Sequence, residues 1–256
     1  MSTRLHTSHL DIEVAGRTLV KQLDLDIEGG SFVCVLGTNG AGKTLTLHTL
    51  AGLRDAPGSI TLNDTQLSQL SRKEIARRLG LLLQIHEDAF PVSVMDSVLL
   101  GRFPHLGLLQ WPGHDDQEKV REALQRFDLE GFENRLLATL SGGERERVAL
   151  ATLMVQDPGI WLLDEPMNHL DPHHQIAVLT ELAAVAQRGR AVVTTVHNPA
   201  LAMRFADHAL LLYGDGEWEF GAVADIIEPE RLERLYQTPF AYYTAPTDNR
   251  TVLLPV

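Results

Sequence analysis

From Leu10 to Ile27, apolar and polar residues alternate, with Leu10, Ile12 and Val14 followed by Leu23, Leu25 and Ile27. A period of two sends alternate side chains to opposite faces, so this stretch predicts half-exposed antiparallel strands. Phe32–Leu36 is an unbroken apolar run of strand length, followed by a glycine-rich turn and a helical stretch through Leu53. Gly80–Gln84 is a second strand-like run. Between Pro91 and Gln156 the pattern changes. Ser93-Val94-Met95-Asp96 and Asp115-Asp116-Gln117-Glu118 each set a short polar residue three positions before an acid, the chemistry of a helix start. Glu118–Phe127 carries helical spacing of apolar residues. Apolar runs then return at Ile160–Leu163, Ala191–Val196 and Ala209–Tyr213, with helices expected at Pro172–Ala186 and Pro199–Ala206. Strands alternating with helices predict a parallel sheet with right-handed crossovers. A further helix is expected around Pro229–Tyr236, and the stretch after Pro239 has too little periodicity to place. The pattern predicts an α/β fold with an N-terminal antiparallel β subdomain and an inserted helical subdomain. We expect one domain over 1–256: a core at about 1–90 and 157–240, the helical insert at about 91–156, and a tail at 241–256.

Composition narrows the functional classes. Hydrophobic residues make up 44% of the 256, enough to bury a substantial core. No apolar run approaches the ~18–20 residues that a membrane-spanning helix needs. Met1–Leu10 has no basic-then-apolar leader, so a cytosolic protein is expected. The single cysteine, Cys34, sits inside the run Phe32–Leu36, reads as a packed strand residue and leaves no intrachain disulfide. A net charge of −12 argues against nucleic-acid binding, which is driven by neutralising phosphates.

Three motifs carry chemistry. Gly37-Thr38-Asn39-Gly40-Ala41-Gly42-Lys43-Thr44 fits a phosphate loop, directly after a strand and before a helix. Its glycines let consecutive amides turn inward around a polyphosphate, and the helix adds its positive end. Lys43 would reach the terminal phosphates, and the Thr44 hydroxyl would bind Mg²⁺. Ile160-Trp161-Leu162-Leu163-Asp164-Glu165 is a strand ending in two acids. Beside a phosphate loop, Asp164 would hold the metal and Glu165 would act as general base toward water. Leu140-Ser141-Gly142-Gly143-Glu144 is the third: Ser141 can cap a helix with Glu144 as the reciprocal partner, leaving an exposed anion site.

With this third motif the chain resembles the ATP-binding cassette family over nearly its whole length. The resemblance implies a phosphate-loop ATPase fold, with ATP and Mg²⁺ as cofactors. It implies nucleotide contacts from Thr38, Asn39, Gly40, Ala41, Gly42, Lys43, Thr44 and Leu45, and, across a head-to-tail dimer of two copies, from Ser141, Gly143 and Asp171. It places Gln84 with Thr44 and Asp164 at the metal, and His197 at the γ-phosphate with Lys43, Gln84 and Glu165 as catalytic residues. Three positions depart from the family pattern: Val14 stands where many relatives stack an aromatic ring on the base, Leu45 where a second hydroxyl is common, and Asn198 where Asp is frequent. His169, His173 and His174 cluster in sequence, but no cysteine or carboxylate spacing beside them supports a metal site.

Leu100-Gly101-Arg102-Phe103-Pro104-His105-Leu106-Gly107 resembles a stretch in ATPases of iron-siderophore, haem and cobalamin importers. That resemblance implies polytopic permease partners, a periplasmic binding protein acting through them, and a peripheral position on the cytoplasmic face of the membrane. The region from Gln84 to His105 would receive a cytosolic permease helix. A cassette of another importer or an exporter shares every catalytic residue. A soluble cassette acting on DNA or ribosomes usually carries coiled-coil insertions or a second cassette, and this chain has neither.

Overall fold

A computed structural model describes residues 3–83, 91–107, 109–244 and 251–256. Strands β1 (Arg4–Val14) and β2 (Arg17–Glu28) form an antiparallel hairpin. Its two-residue turn has Ala15 and Gly16 both at positive φ, 49° and 77°, the geometry that matches the natural twist of paired strands. The alternation predicted here shifts phase: Leu5 and Thr7 point inward, then Leu10 and Ile12. The cause is an irregularity at His9, whose φ of 51° inserts one residue into the ladder.

Strand β3 (Phe32–Leu36) is buried throughout and leads into helix α1 (Lys43–Leu50). Then come β4 (Ser59–Leu62), β5 (Thr65–Gln66), α2 (Arg72–Arg78) and β6 (Leu79–Leu82). The helical stretch contains α3 (Val94–Leu99), α4 (His114–Arg126) and α5 (Gly142–Gln156), which pack on one another. Next are β7 (Ile160–Leu163), α6 (Pro172–Gln187), β8 (Ala191–Thr195), α7 (Pro199–Phe205) and β9 (His208–Leu212). The chain closes with β10 (Trp218–Ala222), α8 (Val223–Ile226), α9 (Pro229–Tyr236), β11 (Phe240–Thr244) and β12 (Thr251–Pro255).

Two sheets organise the core. One is antiparallel, in the order β2-β1-β4-β5. The other runs β10-β9-β3-β8-β7-β6, parallel except for β10 at its edge. Alternate side chains of β3 serve different cores. Val33 and Val35 join Leu5, Leu10 and Leu47 against the antiparallel sheet and α1. Phe32, Cys34 and Leu36 face Val98, Leu124 and Leu150 of the helical layer, together with Leu182. A strand buried on both faces reads as a continuous apolar run, as this one does.

Several expectations shift. Helix α1 ends at Leu50, before Gly52 turns the chain with a φ of 68°. Helix α4 starts at His114, not Asp115, because the Asp116 carboxylate accepts the Gly113 N–H at 3.0 Å; the reciprocal acid is therefore Asp116 and not Glu118. Strand β6 ends at Leu82. The unplaced C-terminal stretch holds a hairpin, β11 with β12, whose Leu253 is 1% exposed and belongs to the main core.

Candidate active site

In the parallel sheet, β3, β8 and β7 are neighbours, so their C-terminal ends bring three chain segments to one edge. Ligand sites of open α/β sheets form at such ends. From β3 comes the loop 37–44. A side chain at Gly37 would collide with the Leu212 carbonyl, 2.7 Å from a Cβ built there. Gly40 and Gly42 lie at φ 83° and 101°, a region costly for any residue with a Cβ. Gly42 offers no side-chain cap to α1, so the amides of the first turn point outward unclaimed by a cap. Lys43 is buried and folds back over its loop, donating to the carbonyls of Gly37 at 2.8 Å and Thr38 at 3.1 Å. Burial lowers its pKa from the ordinary lysine value, and the carboxylates of Glu165 and Asp164 act against that shift.

From β7 come the two acids. Asp164 is 2% exposed; its carboxylate accepts a hydrogen bond from Thr195 Oγ1 at 3.2 Å. The same Thr195 oxygen accepts the Glu165 N–H at 2.6 Å, tying the end of β8 to the end of β7. Glu165 adopts φ 52°, strained for a residue with a Cβ and typical of functional turns. Its two carboxylate oxygens are both engaged, one with His197 Nε2 at 2.9 Å and the other by the Asn168 side-chain amide. A cavity of about 250 Å³ joins these parts: Asn39, Gly40, Lys43, Thr44 and Glu165 line it, with Val14, Leu19 and Leu45 completing the wall.

Lys43, Thr44, Asp164, Glu165 and His197 are thus gathered, and Thr38, Gly40, Ala41 and Gly42 build the loop itself. Gln84 falls outside the described residues. Ser141, Gly143 and Asp171 lie apart from this cavity. Ser141 caps α5: its Oγ accepts the Glu144 N–H at 3.3 Å, and the Glu144 carboxylate accepts the Ser141 N–H at 2.7 Å. Those bonds hold the Glu144 carboxyl below the usual range. A Cβ at Gly143 would lie 3.0 Å from the His169 carbonyl, so the start of α5 leans on the turn after β7. Asp171 caps α6, accepting from the His174 N–H at 2.9 Å, with Pro172 at the first helical position.

Sequence reasoning missed Thr195 and Asn168. A signal existed for the first: Thr194 and Thr195 end an otherwise apolar buried run, and buried hydroxyls need partners. Asn168 needed the turn geometry that folds it back onto Glu165. His173 and His174 meet edge-on at 5.4 Å, and among the described residues no group of three or more His, Cys, Asp or Glu is placed to hold a metal ion.

A parallel sheet delivering a phosphate loop, an acidic pair and a histidine to one edge defines a phosphate-loop nucleoside triphosphatase. Residues 20–168 match the family model described as ABC transporter, and the chain belongs to that family. It is 37% identical over 238 residues to the hemin import ATP-binding protein HmuV of Pseudomonas fluorescens, covering 91% of this chain and 92% of that one. It is 33% identical over 235 residues to the ferric enterobactin transport ATP-binding protein FepC of Escherichia coli, covering 91% and 87%. Among solved structures, an inward-facing metal-chelate type ABC transporter matches with a TM-score of 0.87 at 28% identity, over 99% of this chain and 98% of that one.

Proposed function

We propose that this chain hydrolyses ATP to drive a bacterial importer of haem or a ferric siderophore, docked on a permease at the cytoplasmic face of the membrane. The observation that carries the reading is the Glu165 carboxylate, held by both oxygens and lining one cavity with Lys43 and Thr44. The names of the similar proteins support the cargo. Among the described residues no helix is long and apolar enough to cross a membrane, which fits a peripheral subunit.

The chemistry follows from the geometry. The loop amides and Lys43 take the β- and γ-phosphates. The Thr44 hydroxyl and the Asp164 carboxylate form a hard, all-oxygen donor pair suited to Mg²⁺, with Gln84 as a third candidate. When bound, Mg²⁺ offsets negative charge on the phosphates. Glu165 accepts a proton from the attacking water, whose oxygen bonds to the γ-phosphorus as the bond to the bridging oxygen breaks. Asn168 and His197 fix the direction in which Glu165 points. Ser141 and Gly143 of a second copy, with Asp171 at the interface, complete the site around the γ-phosphate. Residues 91–156 act as the arm that carries this second half and meets the permease.

The test is recovery of partners. The chain is tagged in its own cell, membranes are solubilised in mild detergent, and whatever co-purifies is identified. The expected result is a stoichiometric polytopic membrane protein, with loss of hemin or ferric-siderophore uptake on deletion of the chain. Recovery with ribosomes or DNA-repair proteins and no membrane partner overturns the transporter reading.

A further inference from the structure

A second cavity, of about 260 Å³, lies where the helical subdomain meets the end of α6, and the nucleotide chemistry does not use it. Ala123 of α4 with Met154 and Val155 of α5 supply its apolar wall. Four cations from three separate stretches of chain line the rest: Arg102 in the turn Leu100–His105, Lys119 and Arg126 on α4, and Arg188 directly after α6. Two acids, Glu122 and Asp157, share the wall. The balance of charge here runs opposite to that of the whole chain, which holds 34 Asp and Glu against 22 Lys and Arg.

The nearby acids leave these cations only partly neutralised. Asp157 accepts from Arg190, which is outside the cavity wall, at 2.7 Å. Arg126 and Arg188 converge on one carboxylate oxygen, Oε1 of Glu181, at 3.0 and 3.4 Å, so a single negative charge serves two guanidiniums. Arg102, its side chain 12% exposed, donates to Asp116 at 2.7 Å and to the Val155 carbonyl at 3.1 Å. Lys119 and Glu122 are exposed and form no ion pair with each other or with any other described residue. A guanidinium carries five N–H donors, and the bonds above use one or two on each arginine. The wall therefore offers spare donors in the fork geometry that matches carboxylate and phosphate oxygens. Gathering like charges is unfavourable, and an anion between them offsets that repulsion.

We propose that this cavity binds a phosphate dianion, free or as the monoester of a small metabolite, held by Arg102, Lys119, Arg126 and Arg188. Four cations against two acids leave a surplus that suits a dianion better than a single carboxylate. The volume falls below the ~300–1,000 Å³ of sites for drug-sized ligands, which leaves no room for a second nucleotide. A phosphate bound there ties α4 of the helical subdomain to the end of α6 in the core and holds the two in this arrangement. The site is separate from the phosphate loop and stands whether or not the chain drives an importer.

The test is equilibrium dialysis of radiolabelled inorganic phosphate against the purified full chain, without Mg²⁺, in the presence and absence of saturating ATP. Phosphate on the phosphate loop is displaced by ATP. The expected result is a further phosphate, about one per chain, that persists under ATP with a dissociation constant of about 1 mM or tighter. Lys119→Glu, at an exposed position, keeps the fold and weakens the persisting phosphate by about ten- to hundredfold. Arg188→Gln weakens it in the same direction, and Lys119→Arg leaves it near wild type. Glycerol 3-phosphate as competitor tells the sources apart: displacement at lower concentration than unlabelled phosphate assigns the monoester, and displacement only at higher concentration assigns free phosphate. The absence of any phosphate that persists under ATP, or a persisting phosphate indifferent to Lys119→Glu and Arg188→Gln, overturns the inference and leaves the nucleotide site standing. ATP that fails to bind counts against the nucleotide site alone, because the Lys119 and Arg188 variants still decide the phosphate cavity.

Discussion

The phosphate-loop edge and the start of α5 are both places where helix amides face outward beside glycines, yet they are built to different degrees of completion. At the first, a buried lysine and a doubly held glutamate line one cavity within a single chain, and a buried aspartate precedes the glutamate at the same strand end. At the second, Ser141 and Glu144 satisfy each other, and Gly142 and Gly143 lean on the turn near His169. In the proposed mechanism the first edge carries the reacting groups and the second an exposed helix start that receives the partner's phosphate. A two-fold pair that sets one edge against the other closes both sites with the same patch used twice.

The largest effect is expected at the complete edge. Glu165→Gln keeps the shape and an oxygen that accepts from Asn168 but removes the base, so turnover falls by about 10²–10⁴-fold while ATP binding persists. Single-turnover hydrolysis beside nucleotide titration checks this, and turnover near wild type would remove Glu165 from the role. A smaller loss, about hundredfold, is expected from Ser141→Asp. Aspartate is as good a helix cap as serine, so the fold holds, but its charge opposes the partner's γ-phosphate. The comparison becomes sharp in a mixture of Ser141→Asp with Lys43→Ala. Mixed dimers contain one doubly damaged site and one intact site, and hydrolysis should return in the mixture alone. Its absence would break the head-to-tail arrangement.

A further effect concerns stability and leaves both edges untouched. Glu146, on α5, is 3% exposed and one of its oxygens has no partner. Burial pushes its carboxyl from 4.5 up to about 7. The unfolded chain releases this proton near 4.5 and the folded chain holds it until about 7, so stability falls as pH rises through that window and is flat above it. Glu146→Gln should lose this dependence and gain stability on the order of 3 kcal/mol above pH 7. Urea midpoints of both proteins at pH 5 and pH 8 decide the matter; parallel shifts would mean that Glu146 does not titrate there.

The difference between the two edges also explains what could be read in advance. The phosphate loop, the Asp164–Glu165 strand end and the Ser141 cap are local: neighbours in sequence perform the chemistry, so spacing reveals them. Helix α9 was equally legible, with Pro229 opening it and an amphipathic run behind it. Thr195 was not, because its partners Asp164 and Glu165 sit about 30 residues away across a strand pair. The C-terminal hairpin stayed hidden for another reason. Tyr242 and Tyr243 are exposed, and in β12 Leu253 alone is fully buried, which leaves no period to detect. Nor does an alternation of strands and helices state their order: that β3 lies between β8 and β9 is a fact of tertiary packing.

That placement has a consequence for the birth of the molecule. Phe32–Leu36 is made early, but its two neighbours begin at Ala191 and His208. At ordinary synthesis rates of ~5–20 residues per second, the strand waits roughly 10–30 s with both hydrogen-bonding edges open. Five consecutive apolar residues with bare edges are a template for pairing with other chains. The nascent chain therefore needs shelter until the last third of it leaves the ribosome, and a stalled or truncated message yields a sticky fragment and not a half-working enzyme.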